Sequence, residues 1–318
     1  MRWPCLLVTL FPLPLFAQDV PPPKPADVKS LAVTPDKVTL PGDDASAQLI
    51  VTATLNDGRV VDLTHDVKYT VDGPASVSET GRVLPKANGS ADIAVSFGEK
   101  AVKVPVTVAH LGESRPINFP NQVVPVFTKL GCNSGGCHGK QAGQNGFRLS
   151  LLGFDPELDY ATLVKESRGR RLLPASPDDS LFLLKATGTS PHGGGKKMEP
   201  GSDEYKVVRR WIAAGLPYGD EKDPTVSKIT VFPDARVMTR QAKQQVAVYA
   251  HYTDGTVEDI TRRAQFESND QEVATADGDG VVRTLNMSGQ AAVMARYQGK
   301  VAVFRATVPL GVKTPDWK

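Results

Sequence analysis

The sequence predicts a multi-domain protein in which two all-β sandwiches flank a mainly α domain. The chain has 318 residues, more than one hydrophobic core usually holds. Alternating apolar strand patterns occur near both ends at a constant offset of 197 residues, which indicates an internal repeat. The centre instead carries apolar residues at helical spacing, so the class of structure changes there.

The N-terminus is typical of a secretory signal. Arg2 precedes the apolar run 5–16, and Ala17 provides a small residue at the expected cleavage point. We expect residues 1–17 to be removed. The run is too short to span a bilayer, so no transmembrane segment is expected after cleavage. The sequence therefore predicts a periplasmic, cell-surface or secreted protein.

The segments that follow the signal are predicted in order. Residues 18–27 are rich in proline and form an extended linker. Residues 28–110 form the first sandwich, because alternating apolar positions there precede an Asn-Asp-Gly turn: Leu49, Val51, Ala53 and Leu55. Residues 224–309 form the second, where the same pattern recurs before Asp254-Gly255: Val246, Val248, Ala250 and Tyr252. Residues 310–318 remain as a tail.

Both copies resemble bacterial Ig-like group 2 domains, a family of surface and periplasmic modules. The resemblance rests on the repeated strand pattern and its Asp-Gly turn. Neither copy contains cysteine or tryptophan, so the disulfide and buried tryptophan of antibody domains are absent. The resemblance implies all-β modules that contact a polymer or a partner at the cell surface.

The middle segment, 111–223, contains the two cysteines that would remain after export. Apolar residues at helical spacing in 123–130 lead into this pair, and a second helical run starts at Ser202. Cys5 leaves with the signal, so Cys132 and Cys137 are alone. Outside the cytoplasm such a close pair is either a small disulfide loop or a cofactor attachment site.

The motif running from Cys132 to Gly139 predicts a covalent haem. Two thiols that form thioether bonds, followed directly by a histidine that binds iron, define a c-type haem site. The pattern resembles cytochrome c, specifically the planctomycete-type cytochrome c domain found between bacterial Ig-like modules. That resemblance implies one haem c, attached through Cys132 and Cys137, with His138 as an iron ligand. Four residues separate the cysteines instead of the usual two.

The cysteine pair also allows two other kinds of chemistry. A Cys132–Cys137 disulfide would close a surface loop, but it leaves the adjacent His138 without a role. A non-haem metal is a weaker alternative, because zinc normally takes four protein ligands and few histidines are present.

The second iron ligand is predicted to be Met198 or His192, which lie six residues apart on one loop. Methionine opposite histidine is the common pairing in cytochromes c, whereas the narrower family draws attention to the Pro-His-Gly-Gly-Gly motif around His192. A five-coordinate iron is a third possibility. The repeat aligns His65 with Arg262 and His251 with Thr54, which predicts solvent-facing positions for both histidines. His110 is expected to be exposed.

The predicted function is one-electron transfer with an unknown redox-partner protein, without catalysis. The run 168–171 contains three arginines that could hold a haem propionate, although a solvated face explains them as well. A formal charge of +2 makes nucleic acid a poor partner. Two alternatives are an Ig-like binding or scaffold protein with a structural Cys132–Cys137 disulfide, and the N-terminal electron-supply or sensor part of a larger enzyme.

Overall fold

The computed structural model describes residues 21–113 and 116–311. The predicted signal 1–17 and most of the predicted tail 310–318 lie outside these residues. Of the linker, residues 21–27 are described, and Pro25–Asp27 form a single 3-10 turn before the first strand. In the described ranges, no helix combines the length and the apolar character that crossing a membrane requires.

Ten strands form the first repeat. They are β1 Val28–Thr34, β2 Val38–Pro41, β3 Ala47–Gln48, β4 Ile50–Leu55, β5 Val60–Asp62, β6 Lys68–Thr70, β7 Ala75–Val77, β8 Arg82–Pro85, β9 Gly89–Phe97 and β10 Lys100–Ala109. They pair as three sheets with strand orders β1-β4-β5, β2-β10-β9-β6 and β3-β8-β7. Burial alternates along the strands, as in residues 50–55 of β4, and the inward side chains form one shared core.

The second repeat has ten strands in the same arrangement. They are β11 Val226–Phe232, β12 Ala235–Val237, β13 Lys243–Gln245, β14 Ala247–Tyr252, β15 Val257–Asp259, β16 Gln265–Ser268, β17 Ala274–Ala276, β18 Val281–Thr284, β19 Gly289–Tyr297 and β20 Lys300–Val308. Their sheet orders are β11-β14-β15, β12-β20-β19-β16 and β13-β18-β17. Each sheet therefore has its counterpart in the first repeat, as the sequence offset predicts.

Short helices and turns make up the middle segment. The α-helices are α1 Val124–Lys129, α2 Pro156–Tyr160, α3 Leu181–Ala186 and α4 Asp203–Ala213, joined by 3-10 and π-helical turns. Their core is aromatic: Phe119 lies 5.1 Å from Trp211 and 5.3 Å from Tyr160 between ring centroids. The Trp211 indole donates to the Pro217 carbonyl at 2.8 Å, so its one polar atom is satisfied.

The predicted fold class is wrong in its middle part. The chain is mostly β, and the segment predicted to be a mainly α, cytochrome c-like domain has one helix of more than six residues among its described residues, 111–113 and 116–223. The helical spacing near Val123 yields a π-helical turn, Phe119–Val123, and the short helix α1. Loops and turns with many glycines occupy most of the rest. The strands end at Ala109 and resume at Val226, and the exact domain boundaries stay a prediction.

The two repeats contact each other through equivalent residues. The Asp62 carboxylate accepts a hydrogen bond from the backbone N–H of Gln245 at 2.5 Å, and the Asp259 carboxylate accepts one from the backbone N–H of Gln48 at 2.6 Å. Asp62 and Asp259, like Gln48 and Gln245, are separated by the repeat offset. The interface is therefore reciprocal, as in a symmetric dimer. These two hydrogen bonds are called the reciprocal lock below.

Further contacts surround the reciprocal lock in the same symmetry. The side-chain oxygen of Gln245 contacts the His65 ring at 3.0 Å, and that of Gln48 accepts from Arg262 at 3.0 Å. His65 and Arg262 therefore lie at the interface between the repeats, and the prediction that His65 faces solvent is wrong.

The middle segment contacts both repeats. The Tyr297 hydroxyl of β19 donates to the Asn121 carbonyl at 2.7 Å. On the other side, Arg82 of β8 pairs with Asp203 at the start of α4. Ion pairs and hydrogen bonds therefore fix the helices against both sandwiches.

Candidate functional site

The Cys loop, defined here as residues 131–139, follows helix α1 directly. Its N–H groups bond within the loop: Cys137 donates to the Ser134 carbonyl at 3.0 Å, and His138 donates to the Cys132 carbonyl at 2.9 Å. The side chain of Asn133 is buried and donates to Thr128 of α1 at 2.9 Å. These bonds fold the four residues between the cysteines into a compact turn.

The two cysteines differ in environment. Both are free thiols; Cys132 is buried and Cys137 is partly exposed. Burial raises the pKa of the Cys132 thiol to about 11, and the nearby charge of Lys197 opposes the shift only in part. Cys132 is therefore protonated at neutral pH and has little thiolate character.

His138 is held by the neighbouring loop. Its Nδ1 lies 3.0 Å from the carbonyl oxygen of Phe147, and the two rings are 4.5 Å apart between centroids. Burial lowers the pKa of His138, which outweighs the opposite effect of the Phe147 hydrogen bond. The neutral imidazole is the form that binds a metal or a haem iron.

A second imidazole lies beside His138. His192 belongs to the loop between α3 and α4, and its Nδ1 lies 2.9 Å from the Gly195 carbonyl oxygen. The rings of His138 and His192 are parallel to within 5°, with centroids 6.2 Å apart. The structure thus brings together two histidines that are 54 positions apart in the sequence.

These groups line one cavity of about 650 Å³. Its walls are apolar side chains from the loop after the Cys loop, from α3 and from the His192 loop: Phe147, Leu181, Phe182, Ala186 and Pro191. Its lining also includes four basic residues and no aspartate or glutamate: Arg170, Arg171, Lys185 and Lys197. An apolar cleft with two imidazoles and a cationic lining suits a ligand that is apolar in its body and anionic at its edge.

Cys132, Cys137, His138 and His192 share this cavity, but Met198 is placed elsewhere. It is 4% exposed and packs in the core of the middle segment. Its backbone N–H donates to the Ala186 carbonyl at 3.1 Å, which fixes it behind α3. Met198 is therefore a residue of the hydrophobic core and does not line the cavity.

The two remaining histidines lie outside the cavity. His110 is exposed and contacts Glu113 at 2.9 Å, as predicted. His251 lies on β14 and contacts the Thr230 hydroxyl at 3.0 Å.

Sequence reasoning named Arg171 only as part of the run 168–171 and did not predict how it shapes the cavity. Arg171 is buried, donates to the carbonyls of Thr162 and Gly146 at 2.7 Å each, and lies over the Phe147 ring at 4.9 Å. The arginine run suggested only a solvated or propionate-binding face.

Comparisons with known proteins give no family. No protein-family model matches the chain, and no curated protein matches it. Among solved structures, domains 5–6 of the S-layer protein SbsC are similar at 16% identity and a TM-score of 0.34, covering 88% of this chain and 98% of that one. The neural ectodermal development factor IMP-L2 is similar at 10% identity and a TM-score of 0.28, covering 90% and 98%. Sequence identities and TM-scores this low give no information about the function of this chain.

The predicted membership of a planctomycete-type cytochrome c family is therefore wrong. No family model supports it, and the chain is mostly β with short helices only in its middle. Within residues 21–113 and 116–311, no three histidine, cysteine, aspartate or glutamate side chains group to hold a metal ion, so the expected metal-binding character is wrong as far as it calls for a site built from protein side chains alone.

Proposed function

We propose that the protein is an exported, non-catalytic scaffold in which two Ig-like sandwiches hold the middle segment in a fixed position. The observation that carries the proposal is the reciprocal lock. Hydrogen bonds from backbone N–H groups to carboxylates contribute about 1.5–3 kcal/mol each when shielded from water. Two such bonds in symmetric positions hold one sandwich against the other more firmly than surface ion pairs would.

The middle segment gains its position from this scaffold. Tyr297 and Arg82 contact it from opposite sandwiches, so both sandwiches contribute to its position. The secretory pattern of residues 1–17 supports placement in the periplasm, at the cell surface or outside the cell. There the sandwiches would contact a surface polymer or a partner protein.

Export and rigidity are tested on the full chain. Expressed in a bacterial host, it should be recovered outside the cytoplasm with Gln18 as its first residue. Spin labels on exposed strand positions of the two sandwiches should give one narrow distance distribution. Uncleaved chain in the cytoplasm, or a broad distribution in the wild type, would contradict the proposal.

Surface contact is tested by co-sedimentation of the purified chain with isolated cell envelopes. The scaffold proposal expects saturable binding that persists when the cysteines are replaced by serine. Binding that disappears with C132S/C137S would move the contact from the sandwiches to the Cys loop.

A second candidate function is haem binding, which rests on the cavity and not on the family resemblance. Cys132 and Cys137 would bind one haem c covalently and His138 would bind its iron. The residues fit the group, because both thiols and a neutral imidazole line one apolar cavity with basic residues for carboxylates. A bound haem would supply one-electron redox chemistry.

The residues around this cavity would orient the iron ligand and exclude water. Phe147 orients His138 through its carbonyl, and Phe182 and Pro191 keep water from the apolar part of the cavity. No residue is required to move a proton.

Covalent haem is tested by expression together with haem-attachment machinery. A Soret band that stays with the polypeptide after acid–acetone extraction supports it, and C132S/C137S should lose the band. Absence of the band, with a Cys132–Cys137 disulfide found by thiol counting and mass spectrometry, would instead favour the structural disulfide.

A further inference from the structure

A second cavity, called the inter-sandwich groove below, lies between the first repeat and the second. It has a volume of about 1050 Å³, and its lining includes β5 of the first sandwich, β12 of the second and part of the proline-rich linker. Asp62 of the reciprocal lock also belongs to its lining. The groove is therefore continuous with the interface that joins the two sandwiches.

The edge of β12 has unpaired backbone groups. This strand pairs with β20 in parallel and is the outermost strand of its sheet. The Met238 N–H donates to the Thr307 carbonyl at 2.8 Å, and the Asp234 carbonyl accepts from β20 at 2.9 Å. Since alternate residues of a strand direct their backbone groups to the same side, those of Ala235 and Val237 point away from β20. Within residues 21–113 and 116–311, neither residue forms a backbone hydrogen bond on that side.

The first sandwich contributes a second strand edge to the groove. β5 is the outermost strand of the sheet β1-β4-β5. The Leu55 N–H of β4 donates to the Arg59 carbonyl at 2.8 Å, so the backbone groups of the next residue, Val60, point away from β4. The side chains of Val60 and Val237 are 37% and 68% exposed. Each edge therefore combines outward backbone groups with an exposed apolar side chain, as in sites that bind an extended peptide.

Three basic side chains are among the described residues that line the groove. Arg59 pairs with Asp57 at 2.7 Å, and Lys243 pairs with Asp66 at 3.4 Å. These two charges are neutralised by neighbours within the protein. The third basic residue is Arg236 of β12.

Arg236 is half-buried beside the unpaired edge of β12. It donates to the Gln244 side chain at 3.3 Å and to the Thr52 hydroxyl at 3.4 Å, both long for hydrogen bonds, and it forms no ion pair with a described residue. Burial lowers the pKa of Arg236, and the more distant charges of Asp62 and Asp234 oppose this only in part. A guanidinium in this position is suited to a carboxylate from a ligand.

The lining of the groove favours a polypeptide over other polymers. None of the described residues that line it is aromatic, so a base or a sugar has no ring on which to stack. Four aspartates and three basic residues give no excess of positive charge for an anionic polymer. An unpaired strand edge recognises backbone N–H and C=O groups, which a polypeptide carries and a polysaccharide does not.

We infer that the inter-sandwich groove binds an extended peptide segment of a partner protein, which adds as a strand to the edge of β12 and places an acidic side chain on Arg236. The inference deepens the scaffold proposal and rests on it for the role of the sandwiches as the contact surface. The pairing is assigned to β12 and not to β5 because β12 carries both the more exposed valine and the unpaired cation.

Binding is tested with short random peptides displayed on phage and selected on the purified full chain. Enriched peptides should carry β-branched residues at alternate positions and one aspartate or glutamate. A labelled synthetic copy, followed by fluorescence anisotropy, should bind R236Q about tenfold more weakly than the wild type, the effect of losing one charge-assisted hydrogen bond. A copy with the acidic residue replaced by its amide should lose as much on the wild type and nothing further on R236Q.

Strand addition is tested with proline at each edge. V237P removes an outward N–H and leaves the pairing with β20 in place, so it should weaken peptide binding by about tenfold or more. V60P makes the same change on β5 and is the matched control, which should bind like the wild type. Spin-label distances between the sandwiches should be the same in both variants, which shows that the fold is kept. Loss of binding in V60P but not in V237P would overturn the inference.

Co-sedimentation with cell envelopes distinguishes this inference from the scaffold proposal. Saturable binding that the selected peptide blocks and that R236Q/V237P reduces would support both. Binding that R236Q/V237P leaves unchanged, or that survives protease treatment of the envelopes, would overturn the groove as the contact and leave the scaffold intact. A broad distance distribution between the sandwiches, with peptide binding retained, would do the reverse. If no selected peptide prefers the wild type to R236Q/V237P, the inference is also overturned.

Discussion

At the scale of single residues, the Cys loop depends on one close approach between backbone segments. Gly139 donates its N–H to the Ser134 carbonyl at 3.0 Å and passes directly over residue 133. A Cβ at Gly139 would lie 1.9 Å from the Asn133 carbonyl oxygen and 2.6 Å from its carbon. Both are backbone atoms, so no side chain can rotate to make room.

Gly139→Ala should therefore destabilise the protein by about 1–3 kcal/mol, the usual cost of overpacking. The control is Gly136→Ala, because a Cβ there meets nothing within 4 Å and needs no unusual backbone conformation. Urea unfolding of both variants measures the difference. Equal stabilities would show that the loop shifts at little cost.

Asp159 gives a prediction about pH. Its carboxyl group is buried at 0% exposure and accepts a hydrogen bond from the Ser150 hydroxyl at 2.8 Å. Burial raises its pKa to about 6, from 3.8 in the unfolded chain. The folded state therefore binds a proton more tightly, and this stabilisation is present below pH 4 and lost as the pH rises to 6.

The wild type should thus lose about 2 kcal/mol of unfolding free energy between pH 4 and pH 6 from this group. Asp159→Asn keeps the acceptor oxygen and cannot titrate, so its stability should fall less over the same range. Urea titrations at both pH values give the difference between the two proteins. If the unfolding free energy changed equally with pH in both proteins, the raised pKa of Asp159 would be contradicted.

The sequence predicted some site residues and could not predict others. His138 is recognisable because it follows Cys137 directly, whereas His192 was one of two candidates, since both His192 and Met198 lie on one loop. Only the fold shows that Met198 points into the core. The burial of Arg171 was not predictable, because it depends on the carbonyls of Thr162 and Gly146, which lie 9 and 25 positions earlier in the chain.

At the scale of elements, helix α4 agrees most closely with its sequence signal. The predicted start at Ser202 is its N-cap, whose hydroxyl accepts from the backbone N–H of Tyr205 at 3.3 Å. Its apolar face buries Val208, Trp211 and Ile212 in the core of the middle segment. The N-cap residue and the spacing of the apolar residues indicate the same helix, which is why α4 was predictable.

Ser202→Ala should cost about 1 kcal/mol, because an N–H of the first turn then loses its partner. Lys206→Ala is the matched control, since this exposed residue of the same helix has no cap role. Thermal unfolding followed by circular dichroism compares them. A loss equal in both variants would mean that the cap contributes nothing beyond helix propensity.

The helix before the Cys loop shows why the mainly α prediction was wrong. Apolar residues at helical spacing indicate which side of a helix is buried, but they do not set its length. Pro125 occurs within the predicted run 123–130 and Pro120 lies just before it, and the observed elements are a π-helical turn and a six-residue helix. Beyond α1 the fold relies on aromatic packing and loop hydrogen bonds, which have no sequence period.

At the scale of the whole molecule, the repeat offset predicted two equivalent sandwiches but not how they pack. Asp62 and Asp259 were matched in sequence, yet nothing in either copy alone indicates that its carboxylate accepts from the other copy. The partner of each is a backbone N–H, which every residue but proline has. Burial raises the pKa of both carboxyl groups, which is the direction expected for an interface shielded from water.

Asp62→Ala and Asp259→Ala should each destabilise the protein by about 1–3 kcal/mol, because a buried N–H is left without a partner. Because the two contacts are symmetric, the two variants should lose similar unfolding free energy. In the double variant, the distribution of distances between spin labels on the two sandwiches should be broader than in the wild type. Asp57→Ala and Asp254→Ala are the matched controls, since both carboxylates bond only within their own exposed turns. Unequal losses would show that the lock is not reciprocal in energy.

The reciprocal lock also bears on how the chain is made. Asp62 and Gln245 are 183 positions apart, and a ribosome adds that many residues in roughly 10 to 40 s. Until residue 245 has been added, the Asp62 carboxylate lacks the backbone N–H that it accepts from in the complete chain. A second nascent chain on the same messenger presents an equivalent face, so the two repeats of one molecule compete with neighbours for each other. Helper proteins that cover exposed faces during export would have their greatest effect in this window.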